Sequence, residues 1–169
     1  MTAAIVSLIV ARLYPDRIFS PQSVRAEEIV SPLPKEDPQY QIKTSPSAIY
    51  FKPFDLTLPI AQGVISNDEW TLYDDKVSWL ATSATPEKGN VILYAHNKEN
   101  LFGPLKNIEI GDEIIVEHDQ KTYTYVVSKK HQVLPTDVDA VVSDKNQLTL
   151  YTCDGSFDQK RLIVTALPK

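Results

Sequence analysis

At 169 residues, with 43% hydrophobic and 9% aromatic content, the chain is long enough for one real core and too apolar to be disordered throughout. A net charge of −5, from 22 acids against 17 bases, with no Lys/Arg-rich block, argues against a nucleic-acid partner. A single cysteine excludes an intramolecular disulfide and a Cys-rich zinc site, and no GxGxxG, Walker or HExxH pattern occurs.

The chain opens on MTAAIVSLIVARLYPDRIFSP, in which Ala3 to Ala11 is apolar except for Ser7 before Arg12 interrupts. A spanning helix needs about 20 apolar residues, and this run is roughly half of that. Residues 1–14 read as a partial membrane anchor or a signal-like segment, with a short interfacial or disordered tail as the plain alternative. Residues 15–46 carry Pro15, Pro21, Pro32, Pro34, Pro38 and Pro46. Proline fixes φ and removes a backbone donor, so this stretch reads as an extended spacer. Residues 47–169 form the globular domain.

Within that domain SAIYFKPFDLTLPIAQG holds two strand-like runs broken at Lys52-Pro53. DDKVSWLATS, with Val77, Leu80 and Ala81 at helical spacing, predicts a helix. GNVILYAHN predicts a strand after a Gly-Asn turn. ENLFGPLKNI predicts one helical turn ended by Gly103-Pro104. GDEIIVEHDQKTYTYVVSKKHQVL predicts a hairpin turning at His118-Asp119-Gln120, and NQLTLYT and RLIVTAL predict two further strands. Several short strands and one or two short helices predict an all-β closed barrel of about eight strands, with a sandwich as its rival.

The reactive side chains fall at strand ends. Cys153 follows the run Leu148 to Thr152, Arg161 opens the next run, and His96 follows Val91 to Ala95. If the last two strands are antiparallel neighbours, about 4.8 Å apart, Cys153 and Arg161 share one rim. If the strand before His96 runs parallel to that of Cys153, all three meet there. A thiolate attacks an acyl carbon, an imidazolium returns a proton to a departing amine, and a guanidinium stabilises an oxyanion. These are the parts of an acyl-transfer site with a thioester intermediate.

The motifs TLYTC, RLIVTA and GNVILYAH, with LFGPLKNIEIGDEIIV after the last, together resemble the sortases, over about residues 47–169. The resemblance implies a sortase-type β-barrel with Cys153 as nucleophile, His96 as general acid/base and Arg161 as the oxyanion and substrate stabiliser. It implies substrate contacts from Tyr94, Ala95 and Thr152. Many sortases have Gly before the histidine where this chain has Ala95, which narrows the pocket beside His96. The implied reaction is transpeptidation: cleavage of an L-P-x-T-G-like sorting signal between Thr and Gly, and transfer of the acyl group to an amine. That amine would come from a cell-wall precursor or a pilin-type lysine. The implied partners are secreted proteins bearing the signal, and the implied place is the extracytoplasmic face of a bacterial membrane, with N-terminal anchoring.

Each residue also has a plainer reading. A lone cysteine is usually a small buried hydrophobe, a lone histidine a structural one and a lone arginine a surface ion-pair partner. His118, in a turn, and His131, after two lysines, read as solvated. Val133-Leu134-Pro135-Thr136-Asp137 echoes a sorting signal but sits mid-domain and reads as a strand-to-loop boundary. No cofactor or metal is expected. Asp112, Glu113, Glu117 and Asp119 offer calcium a foothold, since some sortases bind it through loop acids, but they read as the wet face of a hairpin. The rivals are another cysteine acyl-transferase, such as an L,D-transpeptidase, and a non-catalytic β-domain on a stalk. LYTCDG lacks the S-H-G-C-like motif of the former.

Overall fold

Alternating side chains set the barrel. In β1 (Ala48–Phe51) Ile49 and Phe51 point to one side and are buried, and β2 (Leu56–Gly63) buries Leu58 and Ile60 on the same side. The computed structural model describes residues 43–66 and 69–169. The anchor-like segment 1–14 and the spacer up to residue 42 lie outside the described residues. No helix of the described residues is long and apolar enough to cross a membrane.

The remaining strands are β3 (Ile65–Ser66), β4 (Glu69–Trp70), β5 (Val77–Leu80), β6 (Asn90–Tyr94), β7 (Glu113–His118), β8 (Lys121–Val133), β9 (Gln147–Asp154) and β10 (Lys160–Pro168). Eight of the ten strands of the described residues close a barrel in the order β1-β2-β5-β6-β9-β10-β8-β7, with β7 pairing back onto β1, while β3 and β4 form a separate two-stranded ribbon. The neighbours β2–β5 and β6–β9 are parallel and the other barrel pairs are antiparallel. Closure leaves the eight barrel strands without an open sheet edge among the described residues.

Two apolar layers result. Inside lie Trp79, Leu93, Val116, Leu150 and Val164, with Leu101, Phe102, Leu105 and Ile108 packed among them from the β6–β7 connection. Outside, Leu80, Ile92, Tyr94 and Ile163 form a second cluster, covered by Val141 of the β8–β9 connection and flanked by Trp70 and Tyr151. Burying each such side chain contributes about 1.5–3 kcal/mol. The outer layer is the one that leads to the rim where Cys153 stands.

Three local expectations are corrected. Residues 77–80 form a strand, not a helix: all four are buried, Val77 and Trp79 in the inner layer and Leu80 in the outer. A strand covered on both faces shows no polar alternation, and so short an apolar run is ambiguous between helix and strand. The helical elements of the described residues are single 3₁₀ turns, and the one at Gly103–Asn107 is opened, not ended, by Gly103-Pro104. Proline suits a first turn because the N–H it lacks would have no partner there.

His118 is also corrected, from solvated to buried, at 2% exposure. Ile114, Val116 and His118 are alternate residues of β7 and share its inward face, while the turn itself is Asp119-Gln120, both with positive φ. His131 is half-buried on β8, and burial, with Lys129, pushes its pKa down.

Candidate active site

The ends of β6, β9 and β10 meet at one rim. Arg161 is the direct antiparallel partner of Cys153, and Tyr94 is the parallel partner of Tyr151. Beyond Tyr94 the chain leaves the ladder but stays tied to it. The Ala95 amide donates to the Tyr151 carbonyl at 3.4 Å, and the Thr152 hydroxyl donates to the Ala95 carbonyl at 2.8 Å. Cys153 follows one end of that bond and His96 the other. Thr152 is 2% exposed and its proton is committed to Ala95.

A cavity of about 350 Å³ opens at this rim, lined by Trp70, Leu72, Tyr94, Ala95, Tyr151, Thr152, Cys153 and Arg161. Its wall is aromatic. The Trp70 ring stacks on Tyr151, with centroids 5.5 Å apart at 18°, and meets Tyr94 edge-on at 4.7 Å and 88°. His96 is half-buried and stands just past the lining residue Ala95.

Tyr94 can lie flat on the barrel because its neighbours are small. It pairs with Ser78, and a Cβ on Gly63 of β2 would stand 2.3 Å from the Tyr94 hydroxyl. That hydroxyl is buried without a hydrogen-bond partner. The nearby Ser78 hydroxyl spends its proton on the Thr71 carbonyl at 2.7 Å. Burial pushes the Tyr94 pKa up, with Ser78 offsetting part of the rise.

Charge around the thiol is divided. Burial pushes the Cys153 pKa up, the Arg161 guanidinium pulls it down, and the Asp158 carboxylate pushes it up again; the net direction is upward. Burial disfavours an isolated charge, the thiolate included. Arg161 is held by two carbonyls, Asp158 at 2.7 Å and Lys160 at 2.9 Å, both bonded through Nη1. The β9–β10 loop makes this possible by turning through Phe157 and Asp158, both at φ 57°. Its other N–H groups remain to meet a ligand oxygen. Asp74, which feels His96, pairs with Lys98. Lys98 first, and His96 to a smaller degree, hold the Asp74 carboxyl below its usual range.

A sortase domain profile matches residues 49–169. The chain belongs to the sortase family. YwpE, a sortase-type protein of Bacillus subtilis (strain 168), is 38% identical over 82 residues, which span 46% of this chain and 80% of that protein. Sortase C1 of Streptococcus agalactiae superposes with a TM-score of 0.63 at 26% identity, covering 73% of this sortase and 66% of that chain. The lid mutant of sortase A from Corynebacterium diphtheriae gives a TM-score of 0.63 at 26% identity, covering 78% and 74%.

In this sortase, sequence reasoning missed Trp70, Leu72 and Tyr151. Leu72 is exposed, and with Trp70 it alternates along a short stretch rich in acids. That i, i+2 apolar pair is the signal that could have found them. The hairpin acids proposed for calcium go separate ways. Asp112 accepts from the Glu109 amide at 2.8 Å, Glu113 bridges Lys52 and Lys169, and Glu117 is exposed. Asp119 accepts from the Thr44 hydroxyl at 3.0 Å. Among the described residues these four do not gather into one cluster.

Proposed function

We propose that this chain is a cysteine transpeptidase acting on an L-P-x-T-G-like sorting signal, with Cys153, His96 and Arg161 as its chemical groups. The observation that carries the reading is the direct pairing of Cys153 with Arg161 beside an aromatic-walled cavity. The Cys153 thiolate attacks the carbonyl carbon of the substrate Thr, and the carbonyl π electrons move onto oxygen. The free N–H groups of Arg161 stabilise that oxyanion, an interaction worth on the order of 3 kcal/mol at such sites. Collapse breaks the C–N bond, and protonated His96 gives its proton to the departing Gly nitrogen. A thioester remains on Cys153. An acceptor amine then attacks it, loses a proton to His96 and expels the thiolate. Water in place of the amine gives hydrolysis.

The wall of Trp70, Leu72, Tyr94 and Tyr151 offers the substrate's apolar residues a surface beside the thiol. Ala95 and Thr152 shape the floor. The signal-bearing partners are secreted proteins, and the acceptor amine belongs to a cell-wall precursor or a pilin-type lysine. The enzyme works on the extracytoplasmic face of the membrane, tethered through residues 1–14 and the proline-rich spacer. It needs no cofactor for these steps.

The test is mass spectrometry of the protein after incubation with an L-P-x-T-G peptide. A mass gain equal to the acyl fragment, lost in Cys153→Ala and discharged by an added amine, supports the reading. An unmodified, folded protein together with uncleaved peptide overturns it.

A further inference from the structure

At the barrel end opposite Cys153, the β5–β6 turn meets the β7–β8 turn. β6 begins there at Asn90 and β9 at Gln147, whereas Cys153 lies at the other end of β9. Glu87 comes from the first turn, and His118 and Asp119 from the second. The His118 Nε2 lies 3.2 Å from Glu87 Oε1 and 3.5 Å from Asp119 Oδ2. One ligand atom from each residue falls within 4.8 Å of the others. The imidazole is 3% exposed, while the two carboxylates reach solvent.

We propose that Glu87, His118 and Asp119 form a binding site for a divalent transition metal of the Zn²⁺ type, distinct from the catalytic rim. The spacing supports it. Two ligand atoms on a tetrahedral Zn²⁺, each about 2.0–2.1 Å from the ion, stand about 3.3–3.4 Å apart. The two observed separations bracket that value. At 3.2 Å the Glu87 oxygen stands at the long edge of ordinary N–H···O hydrogen-bond distances, and at 3.5 Å the Asp119 oxygen lies beyond it. Two carboxylates converging on one nitrogen repel each other unless a cation lies among them, a metal ion or the protonated imidazole itself.

Each carboxylate is held by a hydroxyl, Glu87 on the same Oε1 that faces His118 and Asp119 on its other oxygen. The Tyr123 hydroxyl donates to Glu87 Oε1 at 3.3 Å, and the Thr44 hydroxyl donates to Asp119 Oδ1 at 3.0 Å, leaving Oδ2 toward the histidine. Such outer contacts fix the direction of a ligand. One nitrogen and two carboxylates suit a borderline transition metal. Calcium takes about 6–8 oxygens and has no use for imidazole. Water completes the coordination from the exposed side.

One element of the outer shell is missing. The His118 Nδ1 is buried without a partner. With a metal on Nε2 that nitrogen carries the proton and finds no acceptor. Loss of such a contact costs about 10–100-fold in metal affinity, which sets the expected dissociation constant in the micromolar range. The site ties two turns and the chain entry at Thr44 together, so its effect is on stability.

The test uses the full chain with Cys153→Ala, because a thiolate is itself a zinc ligand. The chelator-treated protein is titrated with ZnCl₂ by calorimetry, and melting is followed with and without metal. The expected result is one equivalent bound at micromolar concentration, with a melting temperature raised by several degrees at about a hundredfold excess over the dissociation constant. Adding Glu87→Gln and Asp119→Asn should weaken binding by about tenfold or more and leave the metal-free melting temperature nearly unchanged. The amide oxygens still accept from Tyr123 and Thr44, and asparagine tolerates the φ of 46° at position 119. If that variant does not fold, Glu87→Gln alone is held to the same criterion. Absence of binding, equal binding by the variant, or an equal melting shift with CaCl₂ would each overturn the proposal.

Discussion

Thr152 donates its hydroxyl proton to the Ala95 carbonyl at 2.8 Å, joining the residue before Cys153 to the residue before His96. The two strands are parallel, and their ladder register extends to Tyr94 and Tyr151. Past that point this bond, with the longer one from Ala95 to Tyr151, fixes how the two reactive ends stand to each other. Thr152→Val keeps the shape and removes the donor, leaving a buried carbonyl unsatisfied at a cost of about 1–3 kcal/mol. Loss of alignment should lower kcat/KM by on the order of 10–100-fold. Thr152→Ser should restore most of both, as read by melting and by peptide cleavage. Equal activity in the Val and Ser variants would show that the bond positions nothing.

Trp70 lines the cavity wall, half-buried, with ring contacts to Tyr94 and Tyr151. Each such contact is worth about 0.5–1.5 kcal/mol. Trp70→Ala should therefore cost the fold little and raise KM for the peptide by roughly tenfold, a loss of about 1.4 kcal/mol of binding. Trp70→Phe should fall between. A variant with unchanged KM and reduced kcat would move Trp70 from binding the peptide to supporting the rim.

How much of this was legible in the sequence follows from what each signal depends on. Cys153, Arg161 and His96 were legible as candidates because each closes or opens a clear apolar run, so their positions along strands were visible. Their meeting at one rim depended on strand order, which no local pattern encodes; it was a condition on the sequence reading and is supplied by the β6–β9–β10 register. β5 was misread because both its faces are covered. Trp70 and Leu72 were passed over because their i, i+2 alternation is a single pair set among acids. His118 was misread for the opposite reason: its turn neighbours drew the reading, although its alternation with Ile114 and Val116 placed it inside.

Gly63 offers a test of how the barrel sets the cavity wall. A Cβ there would stand 2.3 Å from the Tyr94 hydroxyl and 3.0 Å from Ser78 Cβ. Gly63→Ala should destabilise by about 1–3 kcal/mol through overpacking, and it should weaken peptide binding by moving the Tyr94 ring against Trp70. Tyr94→Phe removes the offending oxygen and, with it, a buried hydroxyl that has no partner. Alone it should be close to neutral for stability. In the double variant it should recover part, but not all, of the Gly63→Ala loss, because the Ser78 contact stays. Strict additivity of the two changes would mean that the Tyr94 hydroxyl is not what Gly63 makes room for.

The thiol gives the sharpest electrostatic test, because its three influences have different signs. Burial and Asp158 raise the Cys153 pKa and Arg161 lowers it, with a net rise. The rate of alkylation by iodoacetamide follows the thiolate, so its midpoint should lie above the ordinary cysteine value. Arg161→Gln removes the lowering charge and should move the midpoint further up. Asp158→Asn removes a raising charge and should move it down, while the Asp158 carbonyl still accepts from Arg161. Catalysis needs thiolate and imidazolium together. Rising pH makes the first and destroys the second, so kcat/KM should trace a bell whose limbs belong to the pair. By taking away a charge that raises the thiol pKa, Asp158→Asn should raise kcat/KM on the acid limb. His96→Ala should lose the bell and most of the rate, whereas His131→Ala should keep both. An alkylation midpoint unmoved by Arg161→Gln would show that the guanidinium does not act on the thiol, and Arg161 would then serve the substrate alone.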